Sequence, residues 1–108
     1  MTAVPHAEGV LLEIDGRRMG VTLRAPHPGC FLRRHPSRRT DLARPGQVLG
    51  AGAILCLIAA GPILVPIVMP EPGLVLCFRS APGAATGHGD PVADYVSLAD
   101  LAALGLAP

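Results

Sequence analysis

The sequence predicts a small all-β domain with a short C-terminal helix, and three observations carry that expectation. Thirteen Gly and twelve Pro in 108 residues are too many for a helical bundle, because both residues interrupt helices. Short apolar runs recur along the chain with turn residues between them. Half the residues are hydrophobic, but there is no Trp, one Tyr and two Phe, so the core must be built from Val, Ile, Leu and Ala. A chain of this length is one domain at most.

The elements follow in order. Residues 1–9 read as a flexible N-terminus. Residues 10–14 and 19–23, with Asp15-Gly16 between them, read as a hairpin, since Asp-Gly favours a type I′ turn. Residues 30–32, 54–58, 63–68 and 74–78 are further short strands, and residues 92–96 are a weaker last one. Repeated short strands of this kind suggest a barrel or sandwich over residues 10–96. Residues 97–108 form a helical tail. Ser97-Leu98-Ala99-Asp100 resembles a capping box with Asp in place of Glu. Leu98, Leu101 and Leu104 would pack on the barrel, and Gly105 would end the helix.

Residues 45–70 carry no charged side chain and are long enough to be a transmembrane candidate. Gly61-Pro62 divides the run into two apolar strands, and a break of that kind facing lipid would leave backbone groups unsatisfied. The segment therefore reads as buried strands, with no membrane partner. No signal peptide is visible, and the three cysteines form no CxxC pair, so a reducing cytoplasm is the simplest compartment. A net charge of +1 argues against a nucleic-acid partner.

The chain also echoes itself. Ala25-Pro26-His27-Pro28-Gly29 is matched by Met69-Pro70-Glu71-Pro72-Gly73. Pro45-Gly46 followed by Gly52-Ala53 is matched, at the same internal spacing, by Pro82-Gly83 followed by Gly89-Asp90. Two similar halves suggest a quasi-two-fold fold.

A family likeness rests on these same residues. Arg24-Ala25-Pro26, Gly29 and Phe31 resemble the start of the biotinyl domain of biotin carboxyl carrier proteins. Pro45-Gly46-Gln47, Gly52 and Leu55-Cys56-Leu57-Ile58 resemble its middle, where members read roughly VGQxVxxGxxLCII. Gly73, Val75, Gly83 and Asp90-Pro91-Val92 resemble its second half. Residues 24–92 lie against that pattern without a gap. The resemblance implies a barrel-sandwich hybrid, a flattened barrel of two four-stranded antiparallel sheets related by a quasi-two-fold axis.

In that family the turn E-A-M-K-[ML] carries biotin on its lysine. Here Ala59-Ala60-Gly61-Pro62-Ile63 occupies the pattern, and the lysine position falls on Pro62. All nine basic side chains are arginine, so no lysine elsewhere can take the group. Lipoylation falls with it, and Ser37, Ser80 and Ser97 lack a phosphopantetheine context. No cofactor is expected.

What remains is a scaffold with candidate groups. The turn Gly61, Pro62 and Ile63 is either a decayed attachment site or a new apolar contact. In some carrier proteins the loop after the first half's strand forms a thumb beside the cofactor turn. That would bring His35, Asp41 and the arginines Arg33, Arg34, Arg38 and Arg39 to Pro62. Histidine suits proton transfer, and guanidinium suits an enolate, carboxylate or phosphate. A solvated loop is the plainer reading. Cys30, after the Pro28-Gly29 turn, is the thiol to test as a nucleophile, although an apolar-strand cysteine is more often a small core residue. The histidines His6, His27, His35 and His88 show no metal spacing.

Three functions compete. The first is a cofactor-free cyclase of secondary metabolism, acting by general acid/base chemistry on a small acyl or polyketide-like molecule. The second is a pseudo-carrier, an interaction or regulatory subunit in a carboxylase or synthase assembly with a protein partner. The third is an inert remnant with a structural role. A regulatory mimic would be expected to keep the polar turn, which favours the first. A homo-oligomer stays open.

Overall fold

A computed structural model of the chain describes residues 7–14, 17–103 and 105, with side chains from Gly20 onward. The Asp15-Gly16 turn, His6, Leu104 and the first six residues lie outside the described residues. The strands are β1 (Ala7–Ile14), β2 (Arg17–Arg24), β3 (Gly29–Leu32), β4 (Val48–Leu49), β5 (Ile54–Ala60), β6 (Ile63–Val68), β7 (Gly73–Phe78), β8 (Ala85–Thr86) and β9 (Pro91–Ser97). One helix, α1 (Leu98–Ala103), follows.

Two antiparallel sheets face each other, ordered β1-β2-β9-β7-β4 and β6-β5-β3-β8. Without β1 each has four strands, as the flattened barrel requires; β1 adds a fifth at the edge of β2 through their hairpin. The core between the sheets is aliphatic apart from Phe31 and Tyr95, and includes Leu23, Leu55, Ile58, Ile67, Met69 and Val75.

The internal echo is written into the backbone hydrogen bonds. Phe31 N–H donates to Ala84 O at 2.9 Å, and Gly83 N–H donates to Phe31 O at 2.8 Å. In the other half Val75 N–H donates to Gln47 O at 3.0 Å, and Gly46 N–H donates to Val75 O at 2.7 Å. Gly46 and Gly83, the glycines of the two Pro-Gly turns, have φ of 87° and 84°, a region that disfavours any Cβ. The second pair of turns repeats the pattern. Ala25 N–H reaches Asp90 O and Gly89 N–H reaches Ala25 O, while Met69 N–H reaches Ala53 O and Gly52 N–H reaches Met69 O. Ala25, Phe31, Met69 and Val75 thus stand in a two-fold relation.

Two strands escaped the sequence pattern. β4 and β8 are two residues each, too short to show a period, and exist because the Pro-Gly turns carry the chain past β7 and β3. β9, read from sequence as the weakest strand, lies between β2 and β7 and is buried along most of its length. Its signal is diluted by Asp94, which points off the outer face of the sheet and is bonded there. The apolar run 45–70 becomes β4, β5 and β6, and no helix among the described residues is long and apolar enough to cross a membrane.

α1 begins as its sequence predicts. Asp100 N–H donates to Ser97 Oγ at 3.1 Å, which caps the first turn. Leu98 and Leu101 pack on Leu74, Leu76 and Val96, covering part of the outer face of the five-stranded sheet.

Candidate functional site: the vacant turn and the arginine loop

β5 and β6 form a two-residue hairpin in which Ala60 pairs with Ile63. Gly61 has φ of 59° at the first central position, as a type II′ turn requires, and Pro62 follows. The turn is exposed, and Ile63 is 62% exposed. Nothing at this tip can be acylated, since Pro62 offers no amine. This is the tight hairpin on which the carrier likeness places its lysine.

The 33–44 loop is held by its own arginines. Arg33 turns inward: its guanidinium lies 3.9 Å over the Phe78 ring, and Nη2 donates to Ala43 O at 3.0 Å. That contact ties the loop to the core, because Ala43 is buried. Arg33 and Arg34 share Asp41, at 3.3 Å and 2.9 Å, and Arg34 Nη1 also donates to Arg39 O at 2.7 Å. Asp41 therefore positions arginines, and its oxygens are occupied.

Around this pairing lies a cleft of about 440 Å³, lined by Arg34, Arg39, Thr40, Asp41 and Arg44. Three guanidinium groups face one carboxylate that already has two partners, so the cleft is electropositive. Thr40 and Arg44 were absent from the sequence-derived set. Arg44 gave a signal in retrospect: it precedes Pro45-Gly46, the turn that brings the chain back.

His35 lies on the exposed part of the loop. Its Nδ1 accepts from Ser37 N–H at 3.1 Å and sits 2.7 Å from Ser37 Oγ. With Nδ1 serving as acceptor, the neutral ring carries its proton on Nε2 and presents a donor to solvent. Arg38 lines no part of the cleft; its amide closes a turn onto His35 O at 2.9 Å.

The structure brings Arg33, Arg34, Arg39 and Asp41 together, while the other sequence candidates lie apart from them. Cys30 is half-buried on the outer face of the four-stranded sheet, beside Ala59 and Ala85. β3 runs antiparallel to β5, so Leu32 enters the loop beside Leu57, whereas Gly61-Pro62 lie beyond Ala60 at the far end of β5. The cleft contains no residue of the turn.

The remaining thiols are held neutral. Burial, opposed by nearby Arg33, pushes Cys56 up to about 12. Cys77 is raised by burial and by its contact with Asp94, whose Oδ2 is 3.4 Å from the sulfur. Neither is poised as a nucleophile. Among the described residues no three His, Cys, Asp or Glu side chains converge as a metal site would need.

No protein-family model and no curated protein matches the chain. Among solved structures it is similar to a single-chain, multi-domain long-chain acyl-CoA carboxylase, with a TM-score of 0.63 and 23% identity. The match covers 88% of this chain and 9% of that one. The likeness is one of fold and agrees with a biotinyl-domain-like barrel.

Proposed function

We propose that this protein is a biotin carboxyl carrier-like domain that cannot be biotinylated and that binds an acyl or polyketide-type intermediate without a covalent bond. The observation that carries the reading is an arginine-lined cleft on a carrier-type barrel whose attachment turn has no amine. An intermediate rich in carbonyls and ending in a carboxylate or enolate suits three guanidinium groups. Asp41 pairs with Arg33 and Arg34, and through Arg34 it orients the cleft.

This set favours polarising a carbonyl and holding an enolate over proton abstraction. A cofactor-free cyclisation could run on such help. The substrate's acidic CH would lose its proton to water or buffer, the enolate carbon would attack a second carbonyl, and the resulting alkoxide would be protonated from solvent. The cleft would lower the energy of both oxyanions.

The test is an NMR titration of the amide spectrum with a short β-ketoacyl thioester and its free acid. Shifts are expected at Arg34, Arg39, Thr40 and Arg44, and the double variant Arg39→Ala/Arg44→Ala should weaken binding by about tenfold, near 1.4 kcal/mol. No shift in the loop, or equal affinity in the double variant, rejects the reading. In a turnover assay Cys30→Ala decides whether that thiol takes part.

The pseudo-carrier reading has its own support in the exposed Ile63 beside Pro62, an apolar tip where a ligase-read turn would be polar. Ile63→Ser would weaken a carboxylase or synthase contact and leave small-molecule binding intact.

A further inference from the structure

The quasi-two-fold relation sets one face of the barrel against its counterpart. On the outer face of the five-stranded sheet, Leu74, Leu76 and Val96 lie under α1. The two-fold places Cys30, Leu32 and Ala59 at the equivalent positions of the four-stranded sheet. α1 packs on β9 and β7, and Cys30, Leu32 and Ala59 on the other sheet are half-buried. Beside the covered patch, the first sheet carries the hydrogen-bonded pair Thr22 and Asp94, at 2.7 Å. Their equivalents are Pro66 and Leu57, so this face is apolar where its counterpart is polar.

The register confirms the orientation. Phe31, Ile58, Val65 and Ile67 point into the core. Their neighbours Cys30, Leu32, Leu57, Ala59, Leu64 and Pro66 therefore point outward, in the rows Cys30–Ala59–Leu64 and Leu32–Leu57–Pro66. None of the six side chains is charged or a hydroxyl or amide; Pro66 is exposed, Cys30, Leu32, Ala59 and Leu64 are half-buried, and Leu57 between Leu32 and Pro66 is buried.

Size and charge narrow the occupant. Four strands at about 4.8 Å spacing, over a few residues at about 3.3 Å each, give a footprint of roughly 300 Å². A stable dimer buries about 800 Å² per partner, so a second copy is poorly matched. A helix about 10 Å across fits, and α1 already shows a helix covering the equivalent face with two leucines. The 33–44 loop leaves β3 directly after Leu32, along the Ile54 end of β5, and exposes Arg34, Arg38, Arg39 and Arg44 against one aspartate.

We propose that the outer face of the four-stranded sheet docks an amphipathic helix of a partner protein, with an apolar stripe on Leu32, Leu64 and Pro66 and acidic residues on the flank facing the arginine loop. Recognition is of the helix-in-groove kind, with sheet rows as the groove. It shares the loop arginines with the small-molecule reading but adds the apolar sheet face, so Leu64→Glu, which lies outside the cleft, tells the two apart.

Cys30 is a built-in reporter, since it lies in the face while Cys56 is fully buried. The probe is a synthetic peptide of about fourteen residues, with leucines at i, i+3, i+4 and i+7 and glutamates along one flank. The measurement is the rate of Cys30 alkylation by iodoacetamide on the full chain, read by peptide mass. At a peptide concentration about four times Kd the rate should fall about fivefold. A peptide with the leucines replaced by serine should give no protection, and one with lysine flanks should protect less. Pro66→Glu, at an exposed position of the stripe, and Leu64→Glu should each abolish protection, and the exposed site guards against a folding artefact. Full alkylation in the presence of the leucine–glutamate peptide overturns the proposal, as does protection that survives both variants or equal protection by the lysine peptide. Light scattering that finds a dimer with Cys30 already shielded assigns the face to a second copy and overturns it as well.

Discussion

Gly29 and Gly73 hold the same place in the two halves of the barrel, and each is pressed against the strand beside it. A Cβ on Gly29 would stand 2.5 Å from Ala59 O, and one on Gly73 would stand 2.8 Å from Val96 O. Each glycine opens its half's inner strand after a Pro-rich turn, where the strand passes close to β5 or β9. Gly29→Ala and Gly73→Ala should each destabilise the fold by about 2–3 kcal/mol, with Gly29→Ala the worse because its Cβ would stand closer to backbone, 2.5 Å against 2.8 Å. Urea denaturation of the two variants checks the order.

Asp94 joins three strands. It accepts from Thr22 Oγ1 and from Arg79 Nε, each at 2.7 Å, and contacts the Cys77 thiol. Asp94→Ala should cost about 2–3 kcal/mol, because Thr22 is buried and loses its partner. Arg79 is about a third exposed, so Arg79→Ala should cost under about 1 kcal/mol. Similar losses in the two variants would mean that the ion pair, and not the buried hydroxyl contact, carries the site.

Alkaline pH should weaken the fold. An exposed thiol ionises near its ordinary value of 9.0, while Cys56 in the folded chain keeps its proton to about 12. Above pH 9 the folded state holds the extra proton, so this contribution is complete below 9 and falls as pH rises. Tyr95, raised by burial and by donating to Glu71 Oε2 at 2.7 Å, acts with the same sign at higher pH. Cys56→Ala should flatten the decline between pH 9 and 11 by up to about 1.4 kcal/mol per pH unit. Denaturant midpoints measured across that range supply the slope.

Incubation with a biotin ligase, ATP and biotin should leave the intact mass unchanged, since the chain has no lysine and the turn position is Pro62. A gain of one biotinyl group would show that another nucleophile accepts it.

Much of the fold was legible because its signals are local. Gly61-Pro62 marked the β5–β6 hairpin, Ser97 marked the start of α1, and the paired Pro-Gly motifs marked the two-fold relation later seen in the bonds of Phe31 and Val75. β4 and β8 were not legible, because two-residue strands are defined by what they pair with. The site was legible in composition only. The arginines of residues 33–44 stood out, but Arg33 turns inward onto Phe78 while Arg44 joins the cleft, and sequence spacing does not encode that exchange.

The sequence by itself determined what this protein lacks and what shape it takes. The absence of lysine is a fact of composition, and the spacing of glycine and proline restricts the backbone to turns that close a small barrel. Tertiary structure alone decided that β9 is central, that Asp41 is spent on two arginines, and that α1 lies on the five-stranded sheet. Those outcomes depend on contacts between residues far apart in the chain, such as Thr22 with Asp94 and Arg33 with Phe78. Such contacts form only after two separate strands or loops are brought together by burial of the shared core.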